Sequence, residues 1–134
     1  MRAPSQRGNK GILLGLDLTR VDRIARALDR WGERFLARVF LPAELRRRRP
    51  PAAFAEHVAG RFAAKEAAMK ALGTGLRGIA FREISVGRDA RGKPRLEFHG
   101  RALLRARQLR VRAVEVSITH TGDLAAAVVA LLTA

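Results

Sequence analysis

Hydrophobic positions change period several times along this chain, and the changes mark its elements. Ile12-Leu13-Leu14-Gly15-Leu16-Asp17-Leu18 is a nearly continuous apolar run of strand length with one acid in it. Thr19 is placed to cap a following helix. In that helix Val21, Ile24, Ala25 and Leu28 share an apolar stripe, while Arg20, Arg23, Arg26 and Arg30 form a basic face. Phe35, Leu36, Val39 and Phe40 predict a second short helix that Pro42 stops. Glu44 to Arg48 predicts one further turn, ended by Pro50-Pro51. Phe54 to Leu72 is the longest predicted helix, with Gly60 weakening its middle. Phe81 to Val86 predicts a strand, Asp89-Ala90-Arg91-Gly92 a turn, and Lys93 to Phe98 the return strand of a hairpin. Gly100 to Leu109 predicts a helix. Ala113 to Thr119 alternates as a strand, and Thr121-Gly122-Asp123 turns into a last apolar strand, Leu124 to Leu132. Strand, helices, hairpin, helix, hairpin is the order of a single α+β domain whose mainly antiparallel sheet packs against the long helix. Residues 1–10 read as a flexible basic tail and residues 11–134 as the domain.

Composition narrows the class. At 134 residues and 48% hydrophobic the chain can bury a core. It has no cysteine, which excludes disulfides and thiolate metal sites. No apolar run has the length of a membrane span, and the first apolar stretch is too short for a signal peptide and carries Asp17. The reading is cytoplasmic, with no membrane. A net charge of +15, from 27 basic and 12 acidic side chains, attracts polyanions: nucleic acid, phosphorylated cofactors, an anionic membrane or an acidic protein. Most of the cations are Arg, which favours two-pronged contacts with phosphate and carboxylate.

Several residues then stand out as chemistry. Glu66 and Lys70 lie four apart and share a helix face. Such a pair holds a metal ion against a phosphate, or it is a surface salt bridge worth about 0.3–0.5 kcal/mol, the reading that spacing alone favours. Lys65 points to another face and reads as solvated. Gly73-Thr74-Gly75 reads as a helix C-cap. Asp17, inside an apolar strand, is costly unless it is paired or binds a metal; a cap or a partner for a buried Arg are the plainer readings. His120 stands at a strand end, where it can act as a base or touch a phosphate. His57 and His99 have no partner pattern. Arg46-Arg47-Arg48-Arg49 is a solvated basic patch or an anion site. With one Trp, no Tyr and six Phe, a base-stacking platform is poorly supported, and no nucleic-acid signature is visible.

Three segments together change these odds. Gly15-Leu16-Asp17-Leu18 with Arg23-Ile24 resembles the N-terminal motif of the holo-acyl-carrier-protein synthases. Arg61-Phe62-Ala63-Ala64-Lys65-Glu66-Ala67-Ala68-Met69-Lys70-Ala71-Leu72-Gly73-Thr74-Gly75 matches that family's long central motif almost throughout. Val116-Ser117-Ile118-Thr119-His120-Thr121 resembles its C-terminal strand, and the turn Gly92-Lys93-Pro94 its hairpin. The similarity runs over residues 12–132, in the family's order. Thr119 departs from the usual serine, Asp89 from a common asparagine, and Leu124 from a frequent aromatic; these touch nucleotide contact more than the reaction.

The resemblance implies the 4′-phosphopantetheinyl transferase fold. It implies transfer of the 4′-phosphopantetheine arm of coenzyme A to a serine of apo acyl carrier protein, with adenosine 3′,5′-bisphosphate released. Asp17 and Glu66 would hold Mg²⁺, which takes one or two carboxylates with substrate phosphates. Glu66, Lys70 and His120 would be the catalytic residues. Arg61, Lys70, Gly73, Gly75, Gly92, Lys93, Pro94, His120 and Thr121 would contact coenzyme A. Arg23, Arg26 and Arg30 would dock the acidic carrier protein. The family also implies a homotrimer with active sites at subunit interfaces. On residues alone, a nucleic-acid-binding module stays open as the alternative, and so does an inactive basic domain of a larger synthase.

Overall fold

The computed structural model describes residues 11–45, 50–75 and 78–134. The basic tail and the Arg46–Arg49 run lie outside the described residues.

Three strands form an antiparallel sheet in the order β1 (Gly11–Arg20), β5 (Leu124–Thr133), β4 (Val111–Thr121). In register, Asp17 stands beside Ala127, and Ala127 beside Ile118. Side chains alternate between faces with a period of two. Leu13, Gly15, Asp17 and Thr19 therefore turn inward, and Ile12, Leu14, Leu16 and Leu18 turn outward, where they are exposed.

A long helix, α3 (Pro51–Leu72), crosses the inner face. It is buried on almost every side, which is why its sequence shows little amphipathic contrast. Small residues make this crossing close. A Cβ built on Gly15 would lie 1.7 Å from the carbonyl oxygen of Ala67, and one on Gly60 would lie 2.9 Å from Ile118 Cγ2. Gly60 thus admits β4 to the helix surface; the expectation that it merely weakens the helix is corrected. Ala63, Ala64, Ala67, Ala68 and Leu72 pack with Val129 and Leu131 in the main core. Burying each of the larger side chains contributes about 1.5–3 kcal/mol.

The opposite side of α3 is covered by α1 (Val21–Trp31), α2 (Glu33–Val39) and a 3-10 turn, Pro42–Leu45. Gly32 joins the two helices with φ +50, a conformation that suits glycine. Ile24, Val39, Phe40 and Val58 form a second core there, flanked by Phe35, Phe62 and Phe81. The chain continues into a separate hairpin, β2 (Ile84–Arg88) with β3 (Pro94–Phe98), and then α4 (Gly100–Gln108).

Three local expectations need correction. Thr19 does not cap α1: β1 runs on to Arg20, and the Thr19 hydroxyl donates to Asp17 Oδ2 at 2.8 Å. The helix start is served instead by Val21 N donating to Asp123 O at 2.7 Å. The long helix begins at Pro51, with proline in the first turn where its missing N–H costs nothing, rather than at Phe54. Phe81–Glu83 is a 3-10 turn, and the strand starts only at Ile84.

Candidate active site

The close β1–α3 crossing at Gly15 brings two distant motifs into contact. Asp17 sits two residues along the same strand face, and Lys70 one helical turn beyond Glu66. Lys70 Nζ donates to Asp17 Oδ1 at 3.1 Å and to Leu16 O at 2.9 Å. The Asp17 side chain is 12% exposed and Lys70 53%. The expected Glu66–Lys70 salt bridge is absent among the described residues; Lys70 reaches across to the strand instead.

Glu66 lies close by, half-buried on the same part of α3. Burial pushes its carboxyl above the usual range, and the Asp17 charge pushes it the same way, against the opposing pull of Lys70 and Arg23. Lys70 offsets part of the repulsion between the two carboxylates, and a bound cation would offset more. Among the described residues no group of three or more His, Cys, Asp or Glu could hold a metal, so this is a two-carboxylate site. That donor set fits Mg²⁺, a hard cation that keeps waters and takes its remaining oxygens from substrate phosphate.

Glu66 also opens onto a cleft of about 670 Å³ between α1, α2 and α3. Its walls are Ile24, Ala27, Trp31, Phe35, Val39, Phe62 and Phe81, with Arg23, Arg34 and Arg38 supplying cationic groups. The arrangement offers an apolar trough with positive charge and the Glu66 carboxylate in its lining. It is suited to an elongated molecule carrying phosphate at one end.

The family model of the 4′-phosphopantetheinyl transferase superfamily matches residues 13–129. The chain belongs to this superfamily. It is 50% identical over 119 residues to the holo-[acyl-carrier-protein] synthase of Maridesulfovibrio salexigens, covering 88% of this chain and 95% of that one. It is 52% identical over 119 residues to that of Solidesulfovibrio magneticus, with the same coverage. Among solved structures, the holo-[acyl-carrier-protein] synthase of Neisseria meningitidis matches with a TM-score of 0.77 and 36% identity, covering 88% of this chain and 95% of that one. The synthase of Bacillus anthracis in complex with coenzyme A (3′,5′-ADP) matches with a TM-score of 0.74 and 32% identity, covering 94% of this chain and all of that one. The fold is the 4′-phosphopantetheinyl transferase fold.

Within this transferase fold the other expected residues are spread more widely. Gly73 closes α3 in the left-handed region, φ +75, and its N–H donates to Lys70 O at 3.1 Å; the C-cap reading of Gly73-Thr74-Gly75 holds for the backbone. Gly75 follows with φ +55 and open space around it. Arg23 lines the cleft beside Glu66. Arg26 approaches Asp22 at 3.4 Å, and Arg30 stacks over Trp31, 4.9 Å from the ring centroid. His120 is not at Asp17. It is exposed at the end of β4, across from Ala125, which pairs with Thr19, so two strand spacings of about 4.8 Å each separate it from β1. Its Nδ1 lies 3.8 Å from Glu56 Oε2. Thr121 is exposed beside Leu124. Gly92, Lys93 and Pro94 lie in the separate hairpin, where Lys93 Nζ meets Glu115 Oε2 at 2.8 Å. Lys93 and Pro94 border the sheet near Val128 and Ala130, away from the Glu66 cleft. Arg61 is buried in α3 near Lys65.

Lys65 overturns its expectation. It is fully buried and holds Val39 O, Glu44 Oε2 and Phe81 O at 2.6, 3.0 and 3.2 Å. Burial lowers its pKa to about 8, against the attraction of Glu44. A helical signal for this was present: Val58, Phe62, Lys65, Met69 and Leu72 fall at stripe spacing, so Lys65 occupies an apolar position. Glu44, Arg34 and Arg38 carry no such signal and went unassigned as site residues.

Proposed function

We propose that this chain transfers the 4′-phosphopantetheine arm of coenzyme A to a serine of apo acyl carrier protein, in support of fatty acid biosynthesis, using Mg²⁺ held by Asp17 and Glu66. The observation that carries the reading is the Asp17–Lys70 contact beside Glu66, which itself lines an apolar cleft, in a chain of this family. Bound Mg²⁺ supplies neutralisation of the pyrophosphate and of the charge that develops in transfer.

The protein's own groups divide the remaining work. Lys70 contacts a phosphate oxygen as a point charge, trading part of its contact with Asp17 for the substrate. The carrier serine oxygen attacks the β-phosphorus. The bond from that phosphorus to the oxygen bridging it to the α-phosphate breaks, and adenosine 3′,5′-bisphosphate leaves. The serine proton passes to Glu66 or to a water that Glu66 holds. Glu66, which opens onto the cleft, is placed for that role. The Gly73–Gly75 backbone and the Gly92-Lys93-Pro94 turn contact the donor. His120, Thr121 and Arg61 complete its binding.

Arg23, Arg26 and Arg30 face the carrier protein, whose acidic surface the net charge of +15 steers inward. The outer sheet face supports self-association, which the family resemblance gives as a homotrimer. Ile12, Leu14, Leu16 and Leu18 are each 62–66% exposed in a row on β1, continued by Val128 and Leu124 on β5. A patch of this kind marks an interface. The hairpin borders it at Val128 and Ala130; on this reading a neighbouring subunit's hairpin would complete each site. No helix among the described residues is long and apolar enough to cross a membrane.

The test is transfer by Asp17→Ala and Glu66→Ala proteins shown by circular dichroism to be folded. Loss of transfer in both is expected. Unimpaired transfer in both would remove the metal assignment.

A further inference from the structure

The Lys65–Glu44 ion pair takes no part in the transfer chemistry, yet it is built with every donor in use. The Lys65 ammonium has three protons and three acceptors: Val39 O, Glu44 Oε2 and Phe81 O. Glu44 in turn accepts from Leu41 N at 2.7 Å and from Val86 N at 2.8 Å. The Phe40 ring lies 4.5 Å from the ammonium. One buried pair thereby ties α3 to the end of α2, the Pro42–Leu45 turn, the Phe81–Glu83 turn and the start of β2.

Stability alone is a weak reason for such a pair, because apolar residues of similar volume often serve as well. Its partners indicate another reason. Val39 and Phe81 line the cleft together with Glu66. The backbone carbonyls of both are held by Lys65, the residue that precedes Glu66 on α3. The spacing between the cleft wall and Glu66 is therefore set by a single buried cation.

We infer that Lys65 and Glu44 are positioning residues for the transfer reaction: they fix the Val39–Phe81 wall of the cleft against Glu66. The inference rests on the proposed function. Without the ammonium, two carbonyls from different segments lose their common donor, and the wall relaxes away from α3. A displacement of about 1 Å in a reacting geometry can cost roughly a hundredfold in rate.

The test uses Lys65→Met and Glu44→Gln beside the wild type. Unfolding midpoints are measured first, and transfer is then assayed well below all of them. In both folded variants kcat is expected to fall at least about tenfold, while KM for coenzyme A stays within about twofold because Lys70 is untouched. A lowered midpoint with wild-type kcat and KM would show a merely structural pair and overturn the inference. If Lys65→Met fails to fold, Glu44→Gln, which keeps an acceptor oxygen, carries the same split, and an unchanged kcat there overturns it. No transfer by the wild type in the same assay would strike the proposed function instead.

Discussion

Lys70 Nζ lies 3.1 Å from Asp17 Oδ1, a contact between residues 53 positions apart. It joins the first strand to the last turn of the long helix and sets Glu66 beside the pair. Everything proposed for the site depends on that juxtaposition, and the juxtaposition depends on Gly15.

Gly15→Ala is accordingly the severest single change on β1. The new methyl would lie 1.7 Å from Ala67 O, a backbone atom that cannot swing aside. A loss at or above the upper end of about 1–3 kcal/mol is expected from overpacking, with transfer lost as β1 and α3 separate. Urea unfolding measures the first and an enzyme assay the second. Wild-type stability would show that the crossing is looser than described.

Lys70→Met separates chemistry from folding. The Lys70 side chain is half exposed, so its pair with Asp17 contributes under about 1 kcal/mol to stability. Transfer is expected to fall by roughly a hundredfold or more, because a charge aimed at the phosphate disappears. Full activity with unaltered stability would move the phosphate contact elsewhere.

Much of this was legible in sequence, and the failures have physical causes. The apolar run of β1, the alternation of β4, the Gly92 turn and the α1 stripe are local patterns, and each formed where it was expected. The proposal that Asp17 and Glu66 together hold a metal rests on the motif resemblance, since no local pattern reports a strand–helix contact across such a sequence separation. Thr19 misled because a hydroxyl before a helix looks the same whether it caps or, as here, turns back to Asp17. Lys65 misled because a charged side chain was given a solvated face, although its stripe position was apolar. Leu14 and Leu16 were read as part of an apolar strand; the sheet shows that among the described residues their side chains face outward and stay exposed.

Glu83 gives a pH signature. Modest burial pulls its carboxyl upward, but the N–H groups of Ala80 and Arg101 and the Arg101 guanidinium hold it below the ordinary 4.5. The Arg101 guanidinium lies 2.9 Å away, and Arg101 N also donates to Glu83. A carboxyl lowered by folding adds stability above its unfolded value, and that stability is lost as pH falls through the folded one. The stability gap between wild type and Glu83→Gln should be fully present at pH 6 and shrink below about pH 4.5. Urea titrations across that range measure it; a gap independent of pH would contradict the assignment.

The apolar row on β1 predicts self-association. Leu14→Glu with Leu16→Glu places two charges on the exposed face without touching the inner one. Sedimentation velocity should show the wild type as a trimer and the double variant as a monomer. The double variant should also lose transfer, if a neighbour's hairpin completes each site. A wild type that sediments as a monomer would remove the interface.

The most direct measurement is intact-mass spectrometry of an apo acyl carrier protein incubated with this protein, coenzyme A and Mg²⁺, beside a sample containing EDTA. A gain of one phosphopantetheine mass that EDTA abolishes is the predicted result. No gain from a folded sample, or a gain that EDTA leaves intact, would contradict the account.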